Sequence, residues 1–256
     1  MPDALIGYTG FVGGTLLRQR PFDFLYNSKN IDDIAGRAFD LVVCAAAPAE
    51  KWKANKYPED DLKNIKRLMS NLERIEVGEC ILISTVDVYP APIAVDEQTV
   101  IQLDECHPYG KHRYMLEQMI SARFRSTIIR LPGLFGSGLK KNIIYDLIHA
   151  NNVGQVHADS VFQFYDLHNL WSDVATAKQH GLKVVNFATE PVSVREIARL
   201  AFGIEFKNTP DGKPVQYDFH SLYAPIFGGH GGYLYDQTQV LSSIKRFVEG
   251  EPMGHQ

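Results

Sequence analysis

Four glycines crowd into the segment Gly7-Tyr8-Thr9-Gly10-Phe11-Val12-Gly13-Gly14. The segment follows a short apolar run, Ala4-Leu5-Ile6, and leads into Thr15-Leu16-Leu17-Arg18, which reads as a helix. Glycines at 7, 10 and 13 let backbone approach a ligand closely. The start of the following helix adds unpaired N–H groups and the positive end of a dipole. That combination suits a pyrophosphate, so the spacing points to dinucleotide binding, a bare strand–helix turn being the plainer alternative. Other reactive side chains form no comparable pattern. Cys44, Cys80 and Cys106 contain no CxxC pair, so neither a zinc site nor a disulfide framework is expected. The nine histidines are scattered without HExxH or paired spacing, and no metal site is expected.

A glycine loop works only if regular elements hold it. Residues 22–26 alternate enough for a second strand, and Leu41-Val42-Val43-Cys44-Ala45-Ala46-Ala47 is a continuous apolar run, as in a strand covered on both faces. Apolar residues at 62, 65, 68, 69 and 72 predict a helix over about 60–73. A buried strand is predicted at 80–85, a helix at 109–124 and another strand at 127–131. Later come a strand at 183–187, a helix at 194–202 with a Ser193/Glu196 capping box, and a last helix near 237–248 after the glycine-rich loop 228–232. Strands alternating with helices predict an α/β fold, a Rossmann-type doubly wound parallel sheet. In such a sheet the carboxyl ends of the strands form the ligand crevice. Thr85 ends a strand and Tyr109 opens a helix, so both should share that crevice with the glycine loop.

Composition removes other classes. Hydrophobic residues make up 45% and charged residues 22% of the 256, which excludes a disordered or fibrous chain. The formal charge of −4 carries no basic excess, so nucleic acid is not an expected partner. No apolar run reaches the ~20 residues of a membrane span. The first residues, MPDALIGYTG, lack a basic segment followed by a long apolar one, so no secretory signal is expected. With unpaired thiols this predicts a cytoplasmic protein.

Longer stretches resemble a known family. Thr9-Gly10-Phe11-Val12-Gly13 resembles the TGxxGxxG form of the short-chain dehydrogenase/reductase superfamily. Its extended branch, the NAD-dependent epimerase/dehydratase family, is resembled by Ala45-Ala46-Ala47, by Asn64-Ile65-Lys66-Arg67-Leu68 (NVxGTxxLL) and by Ser84-Thr85-Val86-Asp87-Val88-Tyr89 (SSxxVYG, with Pro90 for glycine). Pro108-Tyr109-Gly110-Lys111 resembles the PYGxSK helix start, Arg130-Leu131-Pro132-Gly133-Leu134-Phe135-Gly136 the RxxxxYG segment, and Glu190-Pro191-Val192-Ser193-Val194-Arg195-Glu196-Ile197 the EPVSVREL stretch. The order is right along nearly the whole chain.

The resemblance implies one extended unit over 1–256. Within it, about 1–135 forms a dinucleotide-binding core, and 136–256 forms a small, mixed C-terminal substrate-binding region with late core elements. It implies NADP or NAD held by Gly7, Thr9, Gly10, Phe11, Val12, Gly13, Ala45, Ala46 and Asn64, with Asn27 and Lys29 at the end of the second strand. That strand ends Tyr26-Asn27-Ser28-Lys29-Asn30 without a carboxylate, Asp32 and Asp33 following later. Lys29 can meet a 2′-phosphate, which favours NADP slightly. It implies Tyr109 as acid/base at a substrate C–OH and Thr85 hydrogen-bonded to the same oxygen. The family pattern is Tyr-x-x-x-Lys, whereas here Arg113 stands four residues after Tyr109 and so on the same helix face. Arg113 is expected to keep Tyr109 ionisable by its charge, and Arg113→Lys to leave activity equal or higher. Asp87, Arg130 and Tyr165 are candidates for the substrate pocket, and Asp166 reads as a structural turn residue. Lys51, Trp52 and Lys53 read equally as contacts to a substrate phosphate or as an exposed loop.

The implied function is an NAD(P)-dependent epimerase, dehydratase or reductase acting on a sugar nucleotide or related carbohydrate, with a homodimer as one assembly the family allows. Its alternative is a non-catalytic NAD(P)-binding sensor or scaffold, which the missing lysine favours.

Overall fold

The computed structural model describes residues 2–250. The described residues fall into two compact units, the first built from 2–91, 98–131 and 170–186, the second from 92–97, 132–169 and 187–250.

In the first unit, strand β1 (Asp3–Ile6) leads through the glycine loop into helix α1 (Phe11–Gln19), then strand β2 (Phe24–Tyr26). Strand β3 (Ala38–Cys44) is followed by helices α2 (Lys51–Lys56) and α3 (Pro58–Leu72). Strand β4 (Glu76–Thr85), helix α4 (Pro108–Arg123) and strand β5 (Ser126–Leu131) complete the alternation. All pair in parallel in one sheet of order β2-β1-β3-β4-β5-β9, the last being the strand Val184–Asn186 described below. The chain winds outward from β1 in one direction and from β3 in the other. The reversal leaves a crevice at the carboxyl ends of β1 and β3. The two-sided cover explains the unbroken apolar runs: Leu5, Val43 and Ile81 are fully buried, as are Ala4, Val42 and Cys80 facing the other way.

Helix α1 begins at Phe11, earlier than its apolar run suggests, because Gly13 and Gly14 disguise its first turn with residues of poor helix propensity. Gly13 is required there: a Cβ would stand 2.1 Å from the Gly7 carbonyl oxygen. Helix α3 begins with Pro58 at its first position, where no N–H is needed.

In the second unit, strand β6 (Gly133–Phe135) precedes helix α5 (Ile143–His149), strand β7 (Val161–Phe162) and strand β8 (Phe164–Asp166). Helix α6 (Leu170–Gln179) and strand β9 then belong to the first unit. Strand β10 (Val192–Ser193), helix α7 (Val194–Phe202) and helix α8 (Gln237–Gly250) return to the second. β6 pairs with β8 in parallel and β7 with β10 antiparallel. The capping box at α7 is present: Ser193 Oγ accepts from the Glu196 amide at 3.1 Å and Glu196 Oε2 from the Ser193 amide at 2.9 Å. Val194 and Ile197 of α7 share a core with Val240, Leu241 and Ile244 of α8. Tyr165, a candidate for the substrate pocket, is a core residue of this unit instead. It is fully buried, its ring 5.2 Å from that of Phe187 and 6.0 Å from that of Tyr235. Asp166 serves its turn by accepting from the His168 amide at 2.9 Å, and burial raises its carboxyl pKa.

Among the described residues, no helix is long and apolar enough to cross a membrane. All three cysteines are free thiols.

Candidate functional site

At the carboxyl end of β1 the chain turns sharply at Gly7, whose φ of +91° suits glycine. A Cβ at Gly7 would lie 2.4 Å from the Ala45 carbonyl oxygen, so the ends of β1 and β3 touch there. Gly10 differs: a Cβ would meet only the Gly7 oxygen, at 3.3 Å, with no other heavy atom within 4 Å. Gly10 is exposed and stands at the N-cap of α1, so the free amides of the first helical turn open onto the same unfilled space. This cradle fits a pyrophosphate, and a side chain at 10 would fill it. Thr9 is exposed beside it, while Phe11, Val12, Ala45 and Ala46 are half-buried around it.

The end of β2 is organised by Asn27. Its Oδ1 accepts from the Lys29 amide at 2.8 Å, and its Nδ2 donates to the Tyr8 hydroxyl at 3.1 Å, tying this turn to the glycine loop. Lys29 is exposed. Asp32 is drawn away to α3: Arg67 Nη2 pairs with its Oδ2 at 2.7 Å and Asn71 Nδ2 donates to its Oδ1 at 3.0 Å. Those hydrogen bonds hold the Asp32 carboxyl below its ordinary pKa. Arg67 also donates to the Ser28 carbonyl at 3.2 Å, so two cations, Lys29 and Arg67, border this turn.

The second half of the site gathers at the end of β4. Tyr109 is 8% exposed, and the Thr85 hydroxyl at the end of β4 acts on its phenol to lower the pKa. The Asp87 amide donates to Thr85 Oγ1 at 3.1 Å. Gly110 lets α4 seat on this turn, since a Cβ there would stand 2.0 Å from the Asp87 carbonyl oxygen. From α2, Asn55 Oδ1 accepts from the Tyr109 amide at 3.0 Å, and Lys51 Nζ pairs with Asp87 Oδ1 at 2.8 Å.

Arg113 is 2% exposed. Its Nη2 donates to Asp61 Oδ1 at 2.8 Å and to the Pro48 carbonyl, and its Nη1 donates to Asp61 Oδ2 and, at 3.1 Å, to the Tyr109 carbonyl. Its Cζ stands 4.0 Å from the centre of the Tyr109 ring. Only Nε is left buried without a partner among the described residues. His112 Nδ1 lies 2.7 Å from Asp61 Oδ2. The charge of Arg113 acts on the Tyr109 phenol in the expected direction but does not outweigh burial. Burial raises the phenol pKa, Arg113 lowers it, Asp87 raises it further, and Thr85 and Lys51 lower it; the net shift is upward.

The profile of the NAD dependent epimerase/dehydratase family matches residues 23–170, more than half of the chain. The chain belongs to that family. Solved structures similar to it include RMD from Pseudomonas aeruginosa complexed with NADPH, at 17% identity and TM-score 0.74, with 97% of this chain and 99% of that one covered. A dTDP-4-dehydrorhamnose reductase from Clostridium acetobutylicum reaches 18% identity and TM-score 0.72 over 97% and 99%. DesIV, a dTDP-glucose 4,6-dehydratase from Streptomyces venezuelae with NAD and TYD bound, reaches 14% and 0.72 over 97% and 96%. At such identities the likeness speaks for the fold. No curated protein matches the chain.

Not every residue implied by the family's patterns joins the site. Asn64 is exposed on α3, and one turn earlier Asp61 reaches Arg113 of α4. Arg130 is not a pocket residue. It is 4% exposed, its Nη2 bonded to Glu117 Oε2 at 2.6 Å and its Nη1 donating to the Tyr89 hydroxyl at 2.7 Å. Trp52 is 63% exposed, and Lys53 pairs only loosely with Glu50, at 3.6 Å. Sequence reading overlooked Asp61, Asn55 and Arg67. Asp61 carried a usable signal: it is a charged residue four before Ile65 and seven before Leu68, on the apolar face of its helix.

Proposed function

We propose that this chain is an NAD(P)-dependent epimerase, dehydratase or reductase acting on a sugar nucleotide or related carbohydrate, with Tyr109 as acid/base. The observation that carries it is Tyr109 seated by Gly110 and Asn55 against the turn that follows Thr85 at the end of β4, in the same parallel sheet as the open Gly10 cradle. The relatives in fold support the substrate class, since the reductase and the dehydratase are named for dTDP-sugars. Residues 136–256 are assigned to the substrate, apart from the late core elements α6 and β9.

The pyrophosphate belongs over Gly10 at the start of α1, with Asn27 and Lys29 toward the adenosine end. A bound nicotinamide supplies hydride acceptance or donation at a substrate carbon. Tyr109 holds or takes the proton of the C–OH, and Thr85 orients the phenol by its hydrogen bond. Arg113, through its unpartnered Nε, is the cation that takes the place of the family lysine beside the cofactor. Neutral pH leaves a phenol with a raised pKa protonated, ready to donate.

Gly10→Val is expected to keep the fold and weaken NADP and NAD binding by at least about tenfold, or about 1.4 kcal/mol. Isothermal titration checks this, and equal affinity in a folded variant rejects the cradle. Lys29 and Arg67 at the end of β2 favour NADP over NAD. Lys29→Ala is expected to lower that preference about fivefold, most clearly at low salt. Tighter NAD than NADP binding by the wild type would count against it.

A second reading is favoured by one observation, that Arg113 is locked to Asp61 while burial raises the Tyr109 phenol. It makes the chain an NAD(P)-binding sensor or scaffold without turnover. Tight nucleotide binding with no turnover across a panel of nucleotide sugars supports it, and turnover removes it.

A further inference from the structure

We propose that Lys51 is a positioning residue for the Tyr109 phenol, bringing a second cation to it from α2 and acting against Asp87; the inference rests on the acid/base role of Tyr109. Lys51 and Asn55 are four residues apart and so lie on one face of α2. Asn55 fixes that face against α4 by accepting from the Tyr109 amide at 3.0 Å. Lys51 meets Asp87 Oδ1 at 2.8 Å, the Asp87 amide holds Thr85 Oγ1 at 3.1 Å, and the Asp87 carbonyl packs against Gly110, next to Tyr109. The charges facing Tyr109 from the elements packed on it are therefore Arg113 on α4, Asp87 after β4 and Lys51 on α2.

These cations differ in freedom. Arg113 is 2% exposed and forked onto Asp61, so its contribution is constant. The Lys51 side chain is 42% exposed and that of Asp87 18%, so this pair is more open to solvent than Arg113. Lys51 favours the phenolate and Asp87 opposes it, and the balance between them sets how readily Tyr109 accepts a proton.

The opposite signs make the test. The protein is labelled throughout with fluorotyrosine, whose phenol ionises at lower pH, and the Tyr109 fluorine resonance is assigned by its loss in Tyr109→Phe. Its titration is then followed in Lys51→Met, Asp87→Asn and Lys51→Arg. The expected result is an upward shift of the phenol pKa in Lys51→Met, a downward shift in Asp87→Asn and the wild-type value in Lys51→Arg. With a turned-over substrate, Lys51→Met should also lower kcat about tenfold at neutral pH in the direction where Tyr109 accepts a proton, with the loss recovered at higher pH. A purely structural ion pair is broken by either neutral variant and would move the resonance the same way in both. That outcome, or no movement in either, overturns the proposal. The titration needs no substrate, so full turnover in Tyr109→Phe would reject the acid/base reading independently of it.

Discussion

Tyr109→Phe removes one oxygen and is expected to lower kcat by about 10²–10⁴-fold while leaving nucleotide affinity unchanged. The ring keeps its place under the Arg113 guanidinium, 4.0 Å from its centre, and the amide keeps its bond to Asn55, so the fold loses little. What disappears is the proton carrier and the partner of Thr85. Thr85→Ala should act in the same direction by a smaller factor, because the phenol remains but loses the Thr85 hydroxyl, which lowers its pKa. The pH dependence follows from the raised phenol. In the direction where Tyr109 donates, the rate should be flat through neutrality. In the direction where it accepts, the rate should rise with pH well into the alkaline range. Steady-state rates measured in both directions, beside a titration of NADP, check this, and full activity in Tyr109→Phe would refute the assigned proton carrier.

Arg113→Ala is expected to be the most destabilising single change at the site. Asp61 is 5% exposed, and removing the guanidinium leaves its carboxylate buried with only His112 beside it, a loss of about 3–5 kcal/mol. Arg113→Lys is expected to lose stability as well. One ammonium cannot span both Asp61 oxygens and also reach the Pro48 and Tyr109 carbonyls. The sequence-based expectation of equal or higher activity in Arg113→Lys concerns turnover, and the structure adds this cost in stability. The acid side carries the same information. Burial tends to raise the Asp61 carboxyl, but hydrogen bonds and charge from Arg113 and His112 outweigh it and hold it below the ordinary range. Its contribution to stability is therefore complete above the unfolded carboxylate pKa and is lost as pH falls through the lower, folded value. Denaturant unfolding from neutral to acid pH should show this loss in the wild type and a smaller one in Arg113→Ala. An Arg113→Ala protein as stable as the wild type would show that the pair contributes nothing.

Much of this molecule is written locally in its chain. Parallel strands buried on both faces are unbroken apolar runs, so β3, β4 and β5 were legible without any partner in view. The glycines announce the turn after β1 because only they tolerate its φ and its close approach to Ala45. The α7 capping box is readable because both of its hydrogen bonds lie within four residues. That Thr85 ends a strand and Tyr109 stands at the start of a helix was legible in the same way.

Helix period alone, by contrast, placed Arg113 beside Tyr109 but could not say what would take up its charge. That was decided by Asp61, 52 residues earlier, which reaches α4 from α3. Arg130 looked like a pocket residue until the fold set Glu117 and Tyr89 around it. Lys51 read equally as a contact to a substrate phosphate or as an exposed loop, and the fold puts it in helix α2 instead, paired with Asp87. In each case the backbone position follows from short-range pattern. The partner of a buried charge depends on which distant element packs opposite it, and only the tertiary structure supplies that.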